Sequence, residues 1–150
     1  MTERTRAAMT AGEADDLLAA SRKMQLATIN PDHTPHLVTM FYVLRGGRIT
    51  FWTYRASQKA RNLARDPRLT CLVEDGEEYF DLRGVQVRGV AERIDDPAGV
   101  AEVGRLIAGQ LIGVPAGTLD EYVAQAARKR VAYTVVPTRI VSWDHGKLLT

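Results

Sequence analysis

Phe51-Trp52-Thr53-Tyr54-Arg55-Ala56-Ser57-Gln58-Lys59-Ala60-Arg61-Asn62-Leu63 carries a strand, a loop and the start of a helix in quick succession. The apolar and β-branched run ending near Thr53 reads as a strand. Ser57 reads as an N-cap, and Gln58 to Arg65 as a short helix that stops before Pro67. The first turn of a helix exposes unpaired N–H groups and about half a positive charge. Lys59 and Arg61 add full charges within that turn, so the spot suits an anion, best a phosphate. The plainer alternative is a capped surface helix with solvated charges.

On the N-terminal side, Ile49–Thr53 pairs back through the turn Arg45-Gly46-Gly47-Arg48 to a strand over His36–Leu44. That strand is nearly all apolar or aromatic and is expected to be buried on both faces. Before it stand the turn Asn30–Pro35, a strand over Met24–Ile29 and a helix over Ala11–Lys23, opened by the capping box Thr10-Ala11-Gly12-Glu13. On the C-terminal side, strands are expected at Leu69–Glu74 and Tyr79–Ile94, with Gly84 and Gly89 marking bulges or barrel corners. A helix follows from Pro97 to about Leu111, and a second capping box, Thr118 to Glu121, opens another to about Arg128. Strands over Val131–Val136 and Arg139–Trp143 close the chain. Six to seven strands, mostly joined as hairpins, imply a mainly β domain with peripheral helices and antiparallel pairing, closed toward a barrel.

The whole chain, residues 1–150, suits one domain. With 45% hydrophobic and 25% charged residues it has the composition of a globular protein. A net charge of +2 is too mild to argue for nucleic acid. No apolar stretch approaches the ~20 residues that span a bilayer, and no signal peptide opens the chain, so a cytoplasmic setting without membrane partners is expected. Cys71, the single cysteine, lies in an apolar run and is expected to be a buried, inert thiol. The glycines at 104, 109 and 113 lack the Lys-Ser or Lys-Thr of a phosphate loop. His33 and His36 flank a turn, yet no second cluster completes a metal set, so no metal is expected. No Gly-x-Ser-x-Gly elbow marks a hydrolase.

The pattern of a strand ending Trp52-Thr53, then Ser57-Gln58-Lys59, then Asn62-Leu63, resembles pyridoxamine 5'-phosphate oxidase-like proteins. The resemblance extends in order to Ala27-Thr28-Ile29, Leu37–Tyr42, Asp66-Pro67-Arg68, Leu82–Val85, Gly89–Glu92 and Arg139–Asp144. It implies a split β-barrel of the FMN-binding type, paired as a homodimer with the cofactor in the groove between subunits. It further implies that Trp52, Thr53, Ser57, Gln58 and Lys59 meet the cofactor's phosphate end, and that Thr39, Met40 and Tyr42 lie along its ring. Trp143 walls the ring or the substrate, unless it is a core tryptophan.

Departures narrow the expectation. Gln58-Lys59 stands where true pyridoxamine-phosphate oxidases carry Arg-Lys, Gly84 stands where they often carry Gln, and no arginine and histidine motif follows Trp143. These segments look more like a branch of small proteins, many of which use the 8-hydroxy-5-deazaflavin coenzyme F420 in place of FMN. Arg55 and Arg61 would line a basic groove for its polyglutamate tail. The expected activity is a deazaflavin-dependent oxidoreductase acting on a small organic molecule. The alternatives are an FMN enzyme of the same fold and a cofactor-binding protein with no substrate. No general acid stands out; Tyr42, Tyr79 or solvent would supply a proton.

Overall fold

The computed structural model describes residues 1–111, 113–115 and 117–150. Seven strands form one sheet: β1 (Lys23–Ile29), β2 (Pro35–Phe41), β3 (Val43–Arg45), β4 (Arg48–Tyr54), β5 (Arg68–Asp75), β6 (Arg83–Ile94) and β7 (Arg130–Asp144). Their spatial order is β2-β1-β5-β6-β7-β4-β3, and every neighbouring pair is antiparallel. The edge strands β2 and β3 are consecutive in the chain, with Tyr42 alone between them. A sheet whose two edges are joined by one residue must curl until they meet. The curled sheet, with helices outside it, is a split barrel, as the sequence implied.

Alternation fills the interior. Met24, Leu26 and Thr28 of β1, Leu69, Cys71 and Val73 of β5, and Val85 and Val87 of β6 are buried, with more open residues between them; on β7 Val131, Tyr133 and Val135 face the interior, while Ala132 between them is buried on the outer face. Phe51 and Tyr133 stack across the β4–β7 ladder with ring centroids 5.4 Å apart. Helix α2 (Ala11–Ala20) adds Leu17 and Leu18 to this core, and α3 (Gln58–Arg65) adds Ala60 and Leu63. The Cys71 thiol is fully enclosed, and burial pushes its pKa up to about 12, as befits an inert thiol. A second cluster lies outside the sheet. There Val100 and Val103 of α4 (Pro97–Ala108) and Ala127 of α5 (Asp120–Ala127) pack with Ala132, Trp52 and Ile94.

Several expectations need correction. Residues 36–44 do not form a strand buried on both faces. β2 alternates between exposed and half-buried positions, with Leu37 65% and Phe41 49% exposed, because it is a sheet edge whose outer face this chain leaves open. The Thr118 capping box does not form. α5 is entered through Leu119 without a side-chain cap, since Thr118 sits a residue too early; Asp120 and Glu121 face the helix N-terminus instead. The two last strands are one, β7. Pro137 fits inside it because it stands opposite Gly89 at a register shift between Arg88 and Gly89, where its missing N–H breaks no regular ladder bond. Residues 79–81 make a 3-10 turn before β6 rather than its beginning, α2 stops at Ala20 and α4 at Ala108.

A short helix α1 (Glu3–Ala7), capped by the Thr2 hydroxyl, and a 3-10 turn at His145–Leu149 were not foreseen. They hold each other. Lys147 bonds the Ala8 carbonyl and Glu13, Arg6 donates to the Leu148 carbonyl, and Met9 N–H donates to Ser142 Oγ. Glycine at 84 is required by contact: a Cβ there would fall 2.2 Å from Cζ2 of Trp143. Gly84→Ala should therefore destabilise the fold by about 1–3 kcal/mol, the usual cost of overpacking. A thermal melt checks this, and an unchanged midpoint would mean that the indole swings away freely.

Candidate functional site

The junction of β4 and α3 gathers the polar side chains. β4 carries Thr53 inward, where it is buried and its Oγ1 donates to Ser57 Oγ at 3.2 Å. Ser57 Oγ in turn accepts the Ala60 N–H at 3.2 Å, which caps α3. The remaining first-turn N–H groups and the helix dipole are left to attract a negative charge. Lys59 stands in this turn, half-buried, with no carboxylate within 4.0 Å among the described residues. Burial holds its ammonium pKa below the ordinary lysine value. A partly desolvated cation without a counter-ion, beside open N–H groups, is a fitting seat for a phosphate.

Gln58, beside Lys59, is bonded along the helix. Its Nε2 donates to Asn62 Oδ1 at 2.8 Å, and its Oε1 accepts from Arg61 Nη2 at 3.0 Å. Arg61 is exposed and leans on the helix surface through that bond. The residue that organises the group is Asn62, fully buried. Its Nδ2 donates to Thr28 Oγ1 and Asn30 Oδ1, both at 3.0 Å, while its Oδ1 also accepts from Arg65 Nη2 at 3.4 Å. Arg65 bonds the Ile29 carbonyl as well. One amide thus pins α3 to the end of β1 and to the turn after it. Asn62 belongs to the sequence motif, but the motif alone assigns it no role. The available signal was an amide between Ala60 and Leu63, on the buried side of a short helix.

The other expected residues are dispersed within one chain. Thr39 is exposed on the outer face of β2 and donates to Gln25 Oε1 at 2.9 Å. Met40 points the opposite way and packs against the core. Tyr42 is buried, its hydroxyl donates to the Leu18 carbonyl at 2.5 Å, and burial raises its pKa to about 12; it is a core residue that closes the barrel. Trp52 lies on the outer face of β4 under α4, so close that a Cβ on Gly104 would stand 2.5 Å from its ring. The Arg130 guanidinium sits 4.8 Å from the Trp52 ring and 4.0 Å from that of Tyr54. Arg55 is engaged by the Arg130 carbonyl and by Asp95. Trp143 lies on Gly84 at the start of β6, beside a cleft shared with Tyr79 and His145. Tyr79 is exposed and stacks on His145 at 4.6 Å. Thr53, Ser57, Gln58, Lys59 and Arg61 are therefore the members of the expected set that share one place.

No helix among the described residues is long and apolar enough to cross a membrane. No protein of curated function matches the chain. Among solved structures, a conserved hypothetical protein from Mycobacterium tuberculosis is 40% identical over 100% of this chain and 94% of its own, with a TM-score of 0.90. A structure described as an F420 reductase is 27% identical over 88% of this chain and 98% of its own, with a TM-score of 0.64. A FAD-binding protein from Mesorhizobium loti shares the fold, with a TM-score of 0.68 at 18% identity over 89% of this chain and 94% of its own. The pyridoxamine 5'-phosphate oxidase family model matches residues 10–144. With seven antiparallel strands curled into a split barrel and that match over most of its length, the chain belongs to the pyridoxamine 5'-phosphate oxidase family.

Proposed function

We propose that this protein is an oxidoreductase that uses coenzyme F420 to act on a small organic substrate. The observation that carries this reading is Lys59: a half-buried ammonium without a carboxylate partner among the described residues, in the first turn of a helix capped by Ser57. The likeness to the F420 reductase supports the choice of coenzyme. When bound, the deazaflavin supplies the hydride chemistry. The chain's own residues bind and orient. Lys59 and the N–H groups of the first turn hold the phosphate, Ser57 and Thr53 fix where that turn begins, and Asn62 fixes where it lies. FMN is the second reading, since it carries a phosphate too and a FAD-binding protein has this fold.

Titration of the purified protein with F420 and with FMN, followed by coenzyme fluorescence, tests the choice. F420 is expected to bind more tightly. Its phosphate needs the single cation found here, because Gln58 stands in place of a second and is held by Asn62 and Arg61. Equal or tighter FMN binding would overturn the ranking and promote the flavin reading.

The working unit in this proposal is a homodimer, with the coenzyme in the groove between two barrels. Leu37 and Phe41, exposed along the edge strand β2, support it, because apolar side chains in a row on an open edge call for a cover. Light scattering at micromolar concentration should give twice the mass of the chain. A monomer mass would sink this part of the proposal while leaving the Lys59 site intact.

A further inference from the structure

Beside the start of α3, on the inward side of β2, stands an imidazole that the reading above leaves unused. His36 pairs with Thr28 across the β1–β2 ladder, and Thr28 carries the hydroxyl that Asn62 binds. The ring lines an open cleft with Asn30, Pro31, Asp32 and Gln58, the first residue of α3. Its Nδ1 is buried and has no hydrogen-bond partner among the described residues. With Nδ1 enclosed, Nε2 is the ring nitrogen left to meet the cleft that His36 lines.

This arrangement decides where the proton sits. A neutral imidazole has one N–H and one bare nitrogen, and an imidazolium has two N–H groups. A proton on Nδ1 would bury a donor with no acceptor, and buried orphan N–H groups are among the rarest features of native proteins. A bare lone pair in that place is the smaller penalty. The proton therefore belongs on Nε2, facing the cleft. The orphan Nδ1 is still a cost to the fold, and a histidine kept for packing alone would gain by being an apolar ring.

We propose that His36 is a coenzyme-binding residue, whose imidazole Nε2–H donates to a phosphate oxygen held at the start of α3. The inference rests on the reading of that turn as a phosphate seat. It adds a side-chain donor there beyond Gln58, whose amide oxygen is held by Arg61 and whose Nε2 gives one of its two N–H groups to Asn62. An imidazole N–H fixed in the strand adds direction, so it complements the lysine instead of duplicating it.

Two measurements on the full chain test this. Nitrogen-15 NMR of the histidine side chains at about pH 7.5, with His36 assigned by its loss in His36→Gln, should show the Nε2–H tautomer. An Nδ1–H tautomer would overturn the proposal. Coenzyme titration of variants is the second. His36→Phe should weaken F420 or FMN binding about five- to thirtyfold, the worth of one hydrogen bond to a charged group. His36→Gln places an amide N–H near the position of Nε2 and should stay within about threefold of the parent. The free His36→Phe protein should melt at or above the parent's temperature, because an orphan polar atom has been removed. Unchanged affinity in His36→Phe, with the parent binding coenzyme, would remove His36 alone. A lower melting temperature in both variants would make it structural and overturn the assignment. Failure of the parent to bind either coenzyme would instead sink the phosphate-seat reading, and His36 as its ligand with it.

Discussion

Asn62→Leu should lower the melting temperature by about 5–15 °C. Leucine has nearly the shape of asparagine, so the change opens no cavity, and the loss is polar. Asn62 is fully buried and joins Thr28, Asn30, Gln58 and Arg65. Thr28 is 1% exposed, so its hydroxyl would lose its partner with no water to replace it. A buried group left unsatisfied costs about 1–3 kcal/mol, and loosening the half-buried Asn30 and Gln58 adds a smaller amount. A total of about 2–4 kcal/mol corresponds to that shift at roughly 2–4 °C per kcal/mol for a chain of this size. Thermal unfolding followed by circular dichroism measures it. A shift below about 2 °C would show that the network adds little net free energy, as happens when water reaches both partners. The variant should also bind coenzyme less well, because α3 would no longer be pinned against β1.

Lys59→Ala should weaken coenzyme binding about ten- to a hundredfold, the worth of one charge-assisted hydrogen bond. The free protein should change stability by less than about 0.5 kcal/mol, because the ammonium has no carboxylate partner among the described residues to lose. The pH dependence has a definite sign. Burial holds the pKa of Lys59 below that of an unfolded lysine, so folding favours the neutral amine. The charged form is therefore a cost to the fold at neutral pH, relieved as pH rises toward the ordinary lysine value. A bound phosphate reverses the preference and pulls the pKa up. Affinity should be flat while the free lysine is charged and should fall as pH rises through its lowered pKa. Lys59→Ala should lack that fall, and its deficit should shrink at high salt, where the parent's lysine is screened. Titrations across alkaline pH and two salt concentrations measure all three effects. Affinity within about twofold of the parent would remove Lys59 from the site.

Local chemistry made much of the barrel legible. Gly46 and Gly47, at φ of 60° and 77°, turn the β3–β4 hairpin where two adjacent glycines predict it. α3 begins at its serine cap and ends at Arg65, ahead of Pro67. The side to which a residue points was legible only where apolar and polar positions alternate. Around Trp52 they do not, because Phe51, Trp52 and Thr53 all suit an interior. Phe51 faces the barrel, while Trp52 faces α4, an element far along the chain. Tyr42 looked like one more residue of a long strand, and only the closure of the sheet reveals it as the joint. The apolar run 36–44 announced burial but not what does the burying, and within the chain its outer face is open. Thr118 had capping spacing, but the helix begins a residue too late to use it. The orphan nitrogen of His36 has no trace in sequence, because it is defined by the absence of neighbours in space.

The single residue between the barrel's two edges also bears on how such chains can change length. Side chains alternate with a period of two, so one residue gained or lost turns every later position on a strand over. Elsewhere a loop absorbs such an event: the 95–96 link before α4 and the Gly46-Gly47 tip both have solvent beside them. Between Phe41 and Val43 there is no loop. Dropping Tyr42 would empty its place below Leu18 and carry Val43 from the interior to the surface, and doubling it would do the same in the other direction. Insertions and deletions are therefore shut out of the stretch 41–43, and divergence there must proceed by replacement alone.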